Sequence, residues 1–175
     1  TTGPTLSQST AVTTPTNDNT PGYAFSSSET GTISYGGSCS SGTSSASSGT
    51  NSISFNTLSD ATYSNCTITV TDSAGNASTA LNVNTFVIDT TEPSLSQVTA
   101  VTTPTTDSTP SYTFSSNEAG SISYGGSCSS GTTSGSIGNN SISLNTLSDA
   151  NYSNCTITVT DSAGNVSSAL SLSTF

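Results

Sequence analysis

Carboxylates are the only charged side chains from which this protein could build chemistry. Ten Asp and Glu residues stand against no Lys, Arg or His, which gives a formal net charge of −10. Nucleophilic triads need a base that titrates near neutral pH, and phosphoryl transfer needs cationic clamps, so both are excluded. Paired carboxylates can cleave glycosides, but the chain has no Trp to form a sugar platform. We therefore expect no catalytic activity and no required cofactor.

The same charge balance limits the partners that the chain can bind. A protein without cations cannot neutralise a phosphate backbone or anionic lipid headgroups, so nucleic acid and anionic membrane surfaces are excluded. No apolar run in the sequence is long enough to cross a bilayer, and we expect no direct membrane insertion.

Four cysteines are the second group of side chains with chemistry of their own. They form two pairs of equal spacing, Cys39 with Cys66 and Cys128 with Cys155. One cysteine pair without His makes a poor zinc shell, and buried free thiols are the other alternative. A disulfide in each pair would stabilise by about 3.5 kcal/mol in the chain-entropy model. Disulfides would place the chain in an oxidising, extracellular or cell-surface compartment.

The equal spacing reflects an internal repeat with an offset of 89 residues. Roughly three quarters of positions 1–86 are identical to positions 90–175 on this alignment. The sequence therefore predicts two domains, 1–86 and 90–175, with a short, stiff linker at 87–93 that overlaps the second repeat. We also expect that the chain is part of a longer array of such repeats.

Each repeat carries the alternating pattern of half-buried β-strands and no helical period. About seven short segments alternate apolar and polar residues between turns rich in Gly, Pro, Asn and Asp, which favours a β-sandwich. The residues predicted to point inward in the first copy are Leu6, Val12, Tyr23, Phe25, Ile33, Tyr35, Ile53, Phe55, Leu58, Tyr63, Ile68, Val70, Leu81, Val83 and Phe86.

Three motifs resemble bacterial immunoglobulin-like repeats, which build large surface adhesins and biofilm-associated proteins. They are the junction Asp89-Thr90-Thr91-Glu92-Pro93, the strand and turn Val159-Thr160-Asp161-Ser162-Ala163-Gly164-Asn165, and Leu58-Ser59-Asp60 leading to Tyr63. The resemblance implies an all-β chain of two tandem immunoglobulin-like β-sandwiches arranged end to end. The chain departs from the antibody pattern because it has no Trp and because Cys39 follows the third predicted strand.

Acidic turn residues in such a sandwich suggest a calcium site between the domains. Turns cluster at the two ends of a sandwich, and calcium takes six to eight oxygen ligands. The alternative is that these are ordinary solvated turn residues, because Asp and Asn suit turns for their own hydrogen-bonding reasons. The carboxylates expected to meet at the junction are Asp89, Glu92, Glu118 and Asp161, with Asp18 and Asp60 facing them.

The expected function is structural. Near-identical copies and the absence of reaction chemistry favour a stalk or spacer of a bacterial surface adhesin, or a subunit of an extracellular filament. The partners would be neighbouring copies of the same repeat, with the polar run 40–50 as a candidate edge for lateral contact. The alternative is an adhesive module that binds carbohydrate or protein, which would require an exposed aromatic cluster or a loop peculiar to one copy.

Overall fold

A computed structural model describes residues 2–175 and divides the chain into two compact units. The first ends at Thr90 and the second spans Thr91–Phe175. This boundary lies within the predicted linker at 87–93, and Val87 and Ile88 at the start of that segment belong to the last strand of the first unit. Ile88 is 1% exposed, so burial of its side chain anchors this segment in the first unit.

Strands are the only regular secondary structure in the described part of the first unit. They form a three-stranded antiparallel sheet in the order β1-β2-β5, a four-stranded one in the order β4-β3-β7-β8, and the pair β6-β9. The strands are β1 (Leu6–Thr10), β2 (Gly22–Ser27), β3 (Gly31–Gly36), β4 (Ser45–Ala46), β5 (Gly49–Ser54), β6 (Ala61–Tyr63), β7 (Thr67–Thr71), β8 (Leu81–Asn82) and β9 (Phe86–Ile88).

The second unit repeats this arrangement with seven strands. Its sheets have the orders β10-β11-β14 and β13-β12-β15-β16, again antiparallel throughout. The strands are β10 (Leu95–Thr99), β11 (Ser111–Ser116), β12 (Gly120–Gly125), β13 (Ser134–Gly135), β14 (Gly138–Ser143), β15 (Thr156–Thr160) and β16 (Leu170–Ser171). Both units are thus all-β and consistent with a β-sandwich.

Alternation of side chains explains why these segments are strands. Ile68 and Val70 are fully buried in β7, whereas the threonines that alternate with them are partly exposed. Tyr23 and Phe25 of β2 supply the opposite sheet's contribution to the same core. All fifteen residues predicted to point inward belong to this core or pack against it. Ala46 and Ile88 also belong to it, and the sequence pattern did not single them out.

One predicted strand is broken in two. The sequence pattern places Leu81, Val83 and Phe86 on a single last strand, but β8 ends at Asn82 and β9 pairs in another sheet. The Asn84 side chain lies at the break, where it accepts from the N–H of Val12 (3.0 Å) and donates to its carbonyl (3.1 Å). This amide satisfies backbone groups that a continuous ladder would otherwise pair.

The polar run 40–50 contains an edge strand. Within it, β4 pairs with β3 and lies at the end of the four-stranded sheet. The Tyr35 hydroxyl donates to the carbonyl of Thr43 (2.7 Å) and fixes the loop that leads into this strand. Among residues 2–175 there is no helix with the length and apolar character needed to span a membrane.

Candidate functional site

Each unit contains one buried disulfide, between the cysteines that the spacing paired. Cys39 and Cys66 are 5% and 2% exposed, and their Cα atoms are 5.3 Å apart. Cys39 follows β3 and Cys66 directly precedes β7, its hydrogen-bonded neighbour. Cys128 and Cys155 repeat the arrangement in the second unit. The bond therefore closes one end of a strand pair within a sheet.

The turn before each first cysteine requires glycine. Gly37 has a φ of +74°, and a Cβ at this position would collide with the carbonyl oxygen of Asn65. The Asn65 side chain in turn bridges to Ser38, accepting from its N–H (3.1 Å) and donating to its hydroxyl (3.1 Å). These contacts hold Cys39 and Cys66 in position for the disulfide. Gly126, Asn154 and Ser127 repeat the contacts in the second unit.

A glutamate and an aspartate meet at one end of each unit. In the first unit, Glu29 of the β2–β3 turn and Asp72 of the β7–β8 turn line one depression of about 380 Å³, together with Thr2. In the second unit, carboxylate oxygens of Glu118 and Asp161 lie within 4.8 Å of each other. This shared end lies near the start of the first strand of each unit.

The aspartate of this pair organises its own hairpin turn. Oδ1 of Asp72 accepts from the N–H of Ala74 (2.8 Å) and the N–H of Asn76 (2.8 Å), and Oδ2 accepts from the Asn76 side chain (2.8 Å). The hydrogen bond from the Asn76 side chain, aided by the backbone donors, holds the pKa of Asp72 below its usual value. Gly75, with a φ of +88°, closes the turn.

Asp161 makes a denser version of the same turn. Its Oδ1 accepts from the N–H groups of Ala163, Gly164 and Asn165 at 2.7–2.9 Å, and its Oδ2 accepts from the Asn165 side chain (2.8 Å). Burial alone would raise the pKa of Asp161, but these hydrogen bonds outweigh it and lower the pKa. Four donors on one carboxylate leave few of its lone pairs for a metal ion.

The other predicted ligands of the first unit make hydrogen bonds within that unit. Asp18 caps its own turn, because its Oδ1 accepts from the N–H (2.9 Å) and hydroxyl (3.1 Å) of Thr20. Oδ1 of Asp60 accepts from the N–H (3.0 Å) and hydroxyl (2.8 Å) of Thr90. Asp89 follows β9, and its N–H donates to the carbonyl of Thr16 (3.0 Å).

Glu92 is exposed in the second unit, and within the described residues it does not join Glu118 and Asp161. The latter two are the carboxylates of the second unit that could contribute to a calcium shell. They supply two of the six to eight oxygens that calcium needs. Calcium binding therefore stays a prediction. The hydrogen-bonding roles of the aspartates were signalled in the sequence only by the Asp-x-x-Gly-Asn pattern, which is typical of a turn.

A tyrosine fastens the loop before each second cysteine. The Tyr63 hydroxyl donates to the carbonyl of Ser59 (3.0 Å), four residues upstream, and the ring stacks on Phe86 with centroids 5.2 Å apart. Tyr152 makes the same bond to Ser148 and stacks on Phe175. In each unit the tyrosine hydroxyl therefore satisfies a carbonyl four residues upstream.

Comparison of the chain with protein-family models, with curated proteins and with solved structures gives no match in any of the three.

Proposed function

We propose that this chain is an extracellular structural repeat, a stalk or spacer segment of a surface protein. The observation that carries the proposal is the reuse of the same structural devices in two copies: buried disulfide, glycine turn, carboxylate-centred hairpin and tyrosine-fastened loop. Tandem units that repeat the same stabilising contacts suit a mechanical or spacing role. Neither copy contains the His or Lys that nucleophilic catalysis commonly uses as a base.

Strand order supports an immunoglobulin-like topology for each unit. The first, second and fifth strands share one sheet, while the third and seventh strands pair in the other. Such a distribution requires connections that cross between sheets, as in the Greek-key sandwiches of immunoglobulin-like domains. The two buried disulfides support an oxidising, extracellular location.

The spacer role can be tested by using this chain as the spacer of a protein displayed on a cell surface. The full chain is inserted between a known binding head and a cell-surface anchor, and a flexible Gly/Ser linker of equal length is the matched control. We expect the head to remain displayed after protease treatment with the repeat chain but to be lost with the linker. Equal loss of the head from both proteins would contradict the proposal.

A groove in the first unit favours one alternative, an adhesive module that binds a small polar ligand such as a carbohydrate. Residues of β2, β5 and the loop 41–43 line a depression of about 620 Å³. Gly22 and Ala24 form part of its wall, and the second copy has the larger Ser111 and Thr113 at these positions. The groove surface is thus peculiar to one copy.

A glycan array probed with the full chain tests this alternative. The matched control carries Gly22→Ser with Ala24→Thr, which installs the residues of the second copy. The nearest atom to a Cβ at Gly22 is the Ile53 carbonyl oxygen, at 3.9 Å, so the first of these substitutions fits without strain. Glycan binding that the parent chain shows and the double variant lacks would favour the adhesive module. An array without hits would leave the spacer role as the better account.

A further inference from the structure

The second unit has more acceptor patterns for N-linked glycosylation than the first. The pattern is Asn-x-Ser/Thr, where x is any residue except Pro. The chain has six such patterns, and four of them form two pairs at the repeat offset of 89. The second unit has two further patterns, at Asn139 and Asn151, where the first unit has Thr50 and Thr62. The four asparagines shared between the units are Asn65, Asn76, Asn154 and Asn165.

The shared asparagines use their side-chain nitrogens to hold the fold together. Nδ2 of Asn76 donates to Oδ2 of Asp72 (2.8 Å), and Nδ2 of Asn65 donates to the hydroxyl of Ser38 (3.1 Å). Their copies in the second unit make the same two bonds, at 2.8 Å and 3.0 Å. Glycosylation takes place at this nitrogen, so a glycan at any of the four positions would disturb a hydrogen bond that the fold uses.

Asn139 lies on the open face of an outer strand. It belongs to β14, the outer strand of the sheet β10-β11-β14, and its side chain is exposed. Ser141, which completes the acceptor pattern, is exposed on the same face because strand residues alternate between the two faces. Within residues 2–175 the Asn139 amide has no hydrogen-bond partner, whereas Nδ2 of the adjacent Asn140 donates to the carbonyl of Ser136 (2.8 Å).

Asn151 is exposed in the segment that corresponds to β6 of the first unit. Its counterpart Thr62 is exposed on β6 even though β9 pairs with that strand. Exposure at this position is therefore a property of the outer face of the strand. In the described part of the chain the Asn151 amide also has no hydrogen-bond partner, and Ser153 completes its acceptor pattern.

We propose that Asn139 and Asn151 are sites of N-linked glycosylation, while the four shared asparagines serve the fold. In the reaction, the amide nitrogen attacks the anomeric carbon of an oligosaccharide carried on a lipid pyrophosphate. The C–N bond forms as the C–O bond to the pyrophosphate breaks, the lipid pyrophosphate leaves, and the nitrogen loses one proton to a base of the transferase. The proposal concerns a modification of the second unit and holds whether or not the chain acts as a spacer.

A glycan on Asn139 would cover an open edge of its sheet. The N–H of Leu144 donates to the carbonyl of Pro110, so antiparallel alternation turns the backbone groups of Asn139 and Ser141 away from β11. Unpaired edges favour pairing with another chain, and proteins protect them with charged side chains, above all lysine. The chain has no Lys, and β14 has no charged residue. The glycan would therefore give this edge a protection that its side chains do not provide.

The test presents the purified, disulfide-bonded full chain to a single-subunit oligosaccharyl transferase with a lipid-linked oligosaccharide. Mass spectrometry measures glycan occupancy at each asparagine, with chymotrypsin in place of trypsin because the chain has no Lys or Arg. A peptide of residues 136–144 is the positive control for the enzyme. We expect occupancy at Asn139 and Asn151 to be at least about tenfold higher than at the four shared asparagines. Equal occupancy at all six would overturn the proposal, and absence of glycan from either asparagine would overturn it for that residue.

The first unit provides matched variants that separate position in the fold from sequence pattern. Thr50→Asn creates the pattern Asn-Asn-Ser on β5, and Thr62→Asn creates Asn-Tyr-Ser on β6, both at exposed positions. We expect each variant to gain glycan at the new asparagine. Asn139→Gln should lose its glycan and melt like the parent chain, whereas Asn76→Gln should melt at a lower temperature because it disturbs the bond to Asp72. Folded variants of Thr50 and Thr62 that gain no glycan would overturn the argument from exposure.

Discussion

Thr90 donates two hydrogen bonds to a single oxygen of Asp60, one from its N–H at 3.0 Å and one from its hydroxyl at 2.8 Å. This contact lies just beyond β9 and fastens the end of the first unit to the turn before β6. Asp60 therefore has a structural role that does not require a metal ion.

Replacing Asp60 with alanine should therefore loosen β9. We expect Asp60→Ala to lower the free energy of unfolding of the first unit by about 1 kcal/mol, because two hydrogen bonds to an exposed carboxylate are lost. Faster amide exchange at Asp89 and Thr90 would report it. Asp60→Asn keeps an acceptor oxygen and should recover most of the effect. If both variants exchange like the parent chain, the contact does not hold the strand.

Substitution of Gly37 should be far more damaging than substitution of Gly42. Gly37→Ala forces a Cβ into the Asn65 carbonyl in a left-handed conformation, and we expect it to cost about 1–3 kcal/mol of stability. A Cβ at Gly42 would meet no atom within 4 Å, so Gly42→Ala is the matched control. Denaturant unfolding of both variants measures the difference, and equal midpoints would contradict the strain argument.

The hydrogen-bonded aspartates predict a loss of stability in acid. A folded-state pKa below the unfolded value means that the carboxylate stabilises the fold above the unfolded pKa, near 3.8, and that this is lost as the pH falls through the folded pKa. Thermal unfolding between about pH 5 and pH 2 should thus show the melting temperature falling. Asp161→Asn should flatten this dependence for the second unit. An unchanged slope would mean that the turn does not favour the ionised form.

Reduction of the disulfides should destabilise both units to a similar extent. Each bond closes a loop with a sequence separation of 27, so we expect a loss of about 3.5 kcal/mol per unit. Cys39→Ala with Cys66→Ala should destabilise the first unit and leave the second as the internal control. Calorimetric melting with and without reductant measures both effects. A melting curve insensitive to reductant would show that the core alone maintains the fold.

Calcium binding, as the sequence predicts it, should depend on Glu118. Titration calorimetry of the full chain should give heat above dilution, and Glu118→Gln should reduce it by removing a charged ligand. Asp107→Asn is a control, since its carboxylate caps the turn to Thr109 in another loop. Equal heats for the parent chain and Glu118→Gln would rule out this glutamate as a ligand.

The sequence pattern was sufficient to predict most of the first unit's core and the cysteine pairs. The residues Ile68 and Val70 alternate with threonine, and this period alone distinguishes the buried face from the exposed one. The equal cysteine spacing in two copies indicates one bond per unit. Alternation depends on neighbours in sequence, and the cysteine pairing follows from the repeat, so a sequence pattern captures both.

Features that depend on contacts between distant segments could not be predicted in the same way. The Asn84 amide lies at the break in the last strand and contacts Val12, which is 72 residues away. Ile88 lies in a segment whose composition suits a linker, and only pairing with β6 makes it part of the core. Composition alone would class Asp72 and Asp161 as available metal ligands. Their hydrogen bonds with Asn76 and Asn165 arise from the geometry of the turns, which composition does not reveal.

The position of each disulfide also determines how a unit would respond to being pulled by its ends. Tension that enters at Cys39 passes through the sulfur atoms directly to Cys66, so the segment between them, with β4, β5 and β6, bears no force. When a unit is unfolded by force, its intact disulfide would prevent about 90 Å of contour length from extending. Oxidation state would therefore set the maximum stretch of the chain, and a reducing environment would lengthen it.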